Sequence, residues 1–197
     1  MLVPPVNRAR IKRLLYPQLT LRQFLWLGLF GLCGALIAGV YGVLHDLVTY
    51  SIGPEYFTRF KFAQFFYLDF HQPPRLLAAK IGFLASAWVG FFAAWFMGRM
   101  ILPRMTPGAA ARLCGKGVLI MLAVTFFAGV TAGVLAPEAE DPRFENWRGM
   151  TAMFHVQDTA AFVRAGWIHN GSYLGAFLGL LAALAWLRKR RANPRGA

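Results

Sequence analysis

Charge is scarce in this chain, and acid is scarcer still. Asp, Glu, Lys and Arg make up 15% of its 197 residues, and only eight of them are acidic. A soluble domain carries about 25% charge. With 57% hydrophobic residues, this composition excludes an ordinary soluble fold and points to a membrane. Cysteine is nearly absent. Cys33 falls within one long apolar run and Cys114 near the inner end of another. That placement disfavours a disulfide framework and thiol oxidoreductase chemistry. The chain has no HExxH, no CxxC, no Gly-rich phosphate loop and no internal repeat, so the motif-defined classes built on them do not apply. No Ser-His-Asp arrangement follows from spacing. The net charge of +13 would suit nucleic acid if it covered a soluble surface. It is instead concentrated between apolar runs, and no nucleic-acid partner is expected.

Four runs are present that lack charge for long enough to span a bilayer: residues 23–44, 81–98, 117–137 and 170–187. Each is near the ~20 residues needed to cross about 30 Å of hydrocarbon. Fourteen of the 21 Lys and Arg lie before the first run, between the second and third, or after the fourth, with no acid among them. The positive-inside rule places these three segments in the cytoplasm. The expected fold is an all-α membrane protein. It is a four-transmembrane-helix bundle with both termini cytoplasmic and two outer-face loops carrying short interfacial helices. The whole of 1–197 reads as one integral membrane domain, with spans near 21–46, 76–101, 112–136 and 168–188 and loops near 47–75 and 137–167. The lipid bilayer is the expected partner.

All eight acids (Asp46, Glu55, Asp69, Glu138, Glu140, Asp141, Glu145, Asp158) fall on the outer side of this map, and so do His45, His71, His155 and His169. At 1.5 Å per helical residue, His45 and His169 sit roughly 35 and 28 Å above the inner boundary. Tyr41 precedes His45 by one helical turn, and Tyr173 follows His169 by one. In antiparallel helices each tyrosine lies deeper than its histidine. If the first and fourth helices touch, the two pairs face one polar pocket. The alternative is that all four belong to the interfacial aromatic belt.

Imidazole and carboxylate together suit zinc, iron or copper. The expected metal ligands are His45, His155 and His169, with a carboxylate from Glu55, Glu138 or Asp158. His155 reaches His169 only if the chain turns near Gly166. His45 and Asp46 point about 100° apart on a helix, so one direct ligand is expected from the pair. Asp46, Tyr41 and Tyr173 are the candidate catalytic groups. Haem b held by His45 and His169 is the rival cofactor.

Rows of small residues at four-residue spacing run along the spans, as Gly82, Ser86, Gly90, Ala94 and Gly98 do in the second. They predict close helix packing and offer faces to a membrane-protein partner or a second copy of the chain. In the first loop, Gly53-Pro54 predicts a helix start. The aromatic residues that follow predict an interfacial cover. In the second loop, 137–149 reads as irregular and 151–167 as a short helix capped by Thr151.

The stretches "YGVLHD", "TYSIGPEYFTRFKFAQF" and "IHNGSYLG" resemble a group of small bacterial inner-membrane proteins of unassigned function. The resemblance implies a bacterial inner (plasma) membrane setting and no activity. Three functions follow from the residues. One is a membrane metalloprotein, an oxidoreductase or hydrolase acting on a lipid-soluble substrate. The second is a haem or quinone electron carrier. The third is a non-catalytic subunit or assembly factor.

Overall fold

Thr20 starts the first long helix. Its hydroxyl accepts from the Gln23 amide while the Gln23 side chain accepts from the Thr20 amide, a reciprocal cap. From there a computed structural model describes residues 19–68 and 71–192 of the chain. Helix α1 (Leu21–Ile52) is followed by a π-helical segment, Tyr56–Lys61, and a short α2 (Phe62–Gln64). Then come α3 (Pro74–Ile101), α4 (Pro107–Val134), α5 (Glu145–Met153) and α6 (Thr159–Ala192). Among the described residues there is no strand. Four helices are long and apolar enough to cross a membrane: Leu21–Ile52, Pro74–Arg104, Pro107–Val134 and Thr159–Arg190. Large apolar side chains such as Leu25, Leu36, Trp88, Phe127 and Leu174 are exposed along them, as lipid contact requires. The expected Asp69 and the basic residues Arg8, Arg10, Lys12, Arg13 and Arg195 lie outside the described residues.

The four long helices form two tight antiparallel pairs, α1 with α3 and α4 with α6. Glycine makes both pairs possible. A Cβ on Gly34 would fall on the Gly90 carbonyl, and one on Gly42 would fall on the Gly82 carbonyl. On α6, a Cβ at Gly179 would stand 2.9 Å from the Met121 backbone, and one at Gly175 would stand 2.9 Å from the Thr125 Cα. Backbones this close gain dispersion along their length, which is how helices associate where lipid offers no hydrophobic drive.

The pairs meet more loosely, and what fills the seam changes along it. One apolar cluster, including Leu27, Met97, Ile101, Leu113 and Leu187, fills the end nearest the α3–α4 turn. A second, including Phe57, Leu77, Ile81 and Phe162, closes the opposite end beneath the loops. Between them is a polar layer in which Asp46, Thr49, Lys61, Thr125, His169 and Ser172 are buried.

The loops depart from their sequence reading. Residues 151–167 are not one helix. Helix α5 already covers Thr151 and ends at Met153, and α6 starts at Thr159. Thr151 donates to the Arg148 carbonyl at 3.1 Å instead of capping. His155 makes the break, with a left-handed φ of 50°. The stretch read as irregular holds a 3-10 turn at Pro142–Phe144 and then α5. Helix α6 runs unbroken through Gly166, where a Cβ would strike the Trp147 ring. The glycine therefore serves to seat α5 on α6, with no turn there.

Candidate metal centre

His45 and Asp46 come from α1, and His169 and Ser172 come from α6. Their meeting is set by the seam between the two helix pairs. Behind Asp46 lies Gly82, where a Cβ would be 2.9 Å from the Asp46 Cβ. The close α1–α3 contact thus walls the carboxylate off from lipid and aims it into the bundle.

His45, Asp46 and His169 each offer one ligand atom, and these atoms all lie within 4.8 Å of one another. They are the candidate ligand group among the described residues. The two imidazoles stand edge to face with centroids 4.7 Å apart. His45 Nδ1 is 3.0 Å from Asp46 Oδ1, and His45 Nε2 is 3.1 Å from Ser172 Oγ. His169 Nε2 lies 3.9 Å from the same Asp46 oxygen and 3.3 Å from Thr49 Oγ1. Asp46 Oδ2 is buried and has no hydrogen-bond partner. A buried carboxylate oxygen left alone costs free energy. It is also the kind of atom a cation would satisfy. Ligands bonded at about 2.1 Å in a tetrahedral zinc site stand about 3.4 Å apart, against the 4.8 Å within which these atoms lie.

Sequence reasoning separated His45 and Asp46 by their helical angle, yet the structure brings both into one group. Asp46 reaches the seam from its own direction. The His45 ring turns back to meet it, as the 3.0 Å contact records. A chain from Asp46 through His45 to Ser172 also exists, although no spacing rule indicated one. Residues 127 apart in sequence carry no local signature.

The other expected ligands lie elsewhere. Glu55 Oε2 accepts from the Gln157 and Asp158 amides at 2.9 and 2.7 Å. It ties the end of α1 to the start of α6. Gly53 permits that approach, since its Cβ would stand 3.0 Å from the Ala161 carbonyl carbon. Asp158 caps α6, its Oδ1 accepting from the Ala161 amide at 3.0 Å. His155 and Glu138 are exposed in the loops. His71 is exposed at the loop exit.

Tyr41 and Tyr173 lie one turn from their histidines, each with centroids 6.0 Å away. Tyr173 takes a hydrogen bond at 2.7 Å from Lys61 Nζ, and Lys61 is only 4% exposed. Tyr56 stacks on His169 with centroids 4.9 Å apart. Burial raises the pKa of the Tyr56 phenol, so it faces the imidazole as a neutral ring. Lys61, Ser172, Thr49 and Tyr56 were not singled out from sequence. Lys61 had one signal: it stands among phenylalanines in "TRFKFAQFF" with no acid one turn away.

Two spaces open on this group. A cavity of about 100 Å³ is lined by His45, Asp46, Lys61, His169, Ser172 and Tyr173, with Ser86 on its α3 side. A lateral groove of about 510 Å³ runs between α1 and the α4–α6 pair. Leu44, Val48, Phe126 and Val130 line it, with His45 and Ser172 on its wall and Arg164 at its rim. Its volume is in the range of small-molecule sites, about 300–1,000 Å³. Comparison with models of protein families, with curated proteins and with solved structures finds no match to this chain.

Proposed function

We propose that the chain is a membrane-embedded metalloprotein whose ion, zinc, iron or copper, is held by His45, Asp46 and His169. It acts on a lipid-soluble substrate that reaches the ion through the lateral groove. The observation that carries this reading is the unpartnered Asp46 Oδ2, buried within reach of two imidazoles. The groove adds the route, because its walls are apolar up to the point where His45 and Ser172 appear. Both short loop elements cover the same end of the bundle. By the positive-inside rule that end faces outward, with both termini in the cytoplasm of a bacterial cell.

The chain Asp46–His45–Ser172 favours hydrolytic over redox chemistry. It can orient an imidazole and move a proton to or from a group at the Ser172 position. A second reading rests on the same contacts. Without any ion, Asp46 would orient His45 and His45 would take the Ser172 proton, the logic of a serine hydrolase. Haem b suits His45 and His169 less well here. Their rings are 4.7 Å apart at 79°, and the cavity beside them, about 100 Å³, is smaller than a porphyrin.

Metal content of detergent-purified protein separates these readings. Near-stoichiometric metal without a Soret band, lost in His45→Ala and His169→Ala and retained in His71→Ala, supports the metal centre. Metal-free protein that reacts through Ser172 with a fluorophosphonate supports the serine reading. Protein with neither property supports a subunit or assembly role. Full metal retention in folded His45→Ala and His169→Ala overturns the proposal.

A further inference from the structure

We infer that the 100 Å³ cavity is built to receive a phosphate-class oxyanion, held between the ion and Lys61. This inference rests on the metal reading and names the substrate's polar group. The buried layer holds one carboxylate, Asp46, and one ammonium, Lys61. Metal-binding histidines are neutral. These two charges balance, and a divalent ion adds about +2 to the layer in a medium where unbalanced charge is costly. Something anionic must enter with the ion or after it.

The position of Lys61 says where. Its Nζ does not pair with Asp46. It donates to the Tyr173 hydroxyl at 2.7 Å and lies 5.4 Å from that ring's centroid. A buried lysine held by a phenol keeps its remaining N–H donors for something else. Lys61 lines the cavity together with all three ligand residues. Ser86 adds a hydroxyl to the same wall, while the Thr125 hydroxyl donates to the Met121 carbonyl at 2.8 Å and Ser172 is engaged with His45. A cation on one side, an ammonium on the other and the Ser86 hydroxyl on the wall match the oxygens of a phosphate group. Water would cancel none of the charge of about +2, and a single carboxylate about half of it. The polar group can be free phosphate or the headgroup of a phosphate monoester lipid whose chain lies in the lateral groove.

The test uses the full chain in detergent, loaded with zinc and assayed for zinc per protein. Inorganic phosphate, and separately phosphatidic acid in bicelles, are titrated by calorimetry against wild type, Lys61→Gln and Lys61→Arg. Folding is checked by size-exclusion profile. Wild type is expected to bind a phosphate probe only when zinc is present. Lys61→Gln should keep its zinc and bind that probe at least 10-fold more weakly, and Lys61→Arg should recover part of the loss. Preference for inorganic phosphate identifies a free oxyanion, and preference for phosphatidic acid identifies a lipid headgroup. Either supports the inference. Zinc retained with phosphate binding unchanged in Lys61→Gln, or no binding of either probe by zinc-loaded wild type, overturns it while sparing the metal centre. Wild type that takes up neither zinc nor, in parallel loadings, iron or copper overturns both.

Discussion

Asp46→Asn should cost far more stability with metal than without it. Without metal, the substitution removes a buried charge whose Oδ2 has no partner. It also turns the contact to His45 Nδ1 at 3.0 Å from a charge-assisted bond into a neutral one. The first change relieves part of a desolvation penalty of several kcal/mol, and the second costs about 1 kcal/mol. The substitution also leaves the buried Lys61 ammonium without its counter-charge, which offsets that relief, so metal-free Asp46→Asn is expected to stay near wild-type stability. With metal the two separate. Loss of an anionic ligand weakens binding by about 100-fold or more, which is about 2.7 kcal/mol. At a free metal concentration 100 times the wild-type Kd, wild type gains about 2.7 kcal/mol and the variant only about 0.4 kcal/mol. The assay is thermal unfolding in detergent, followed by tryptophan fluorescence, in chelator and in buffered zinc. A variant destabilised equally in both conditions would mean that Asp46 is a structural acceptor for His45. A wild type indifferent to metal would refute the reasoning at its base.

Three further outcomes are expected. Gly34→Ala should lower stability by about 1–3 kcal/mol through overpacking, because its Cβ meets the Gly90 carbonyl. Gly28→Ala on the same helix, with nothing within 4 Å, should be neutral or gain up to about 1 kcal/mol from helix propensity; equal losses would remove the glycine contacts as the basis of the α1–α3 pair. Glu55→Gln should speed hydrogen exchange at the Gln157 and Asp158 amides by about 5–30-fold, for about 1–2 kcal/mol of local stability, and leave metal content unchanged. Loss of metal in that variant would return Glu55 to the ligand set. Reporter fusions at residues 60 and 145 should read outside, and fusions at 106 and 193 inside; a cytoplasmic signal at 60 would invert the proposed orientation.

The helices were legible because the property that makes them is local. A run without charge and a row of small residues are both visible in a short window, and Gly82 and Gly90 of the predicted row do make close contacts. His45, Asp46 and His169 were legible for a related reason. Each is an ionisable residue at the end of an apolar run, where its type alone sets it apart. His155 and Asp158 shared that chemistry and misled. Their backbone positions matter more than their side chains. His155 supplies a left-handed turn, and Asp158 caps the next helix. The sequence cannot show that the turn precedes α6 instead of interrupting it at Gly166.

What stayed hidden depends on distance along the chain. Ser172 is one small residue in a glycine-rich stretch, and only its approach to His45, 127 positions away, gives it chemistry. Lys61 is hidden more thoroughly. It belongs to a loop, and loop lysines are ordinarily solvated. It enters the bundle because the π-helical segment Tyr56–Lys61 packs its aromatic residues on α6, with Tyr56 on Phe162 at 5.4 Å and on His169 at 4.9 Å. Once those rings are seated, the lysine at the end of the segment is carried to Tyr173. The phenylalanines and tyrosines of the first loop therefore do more than cover the membrane end. They place an ammonium in the same buried layer as the only buried carboxylate among the described residues.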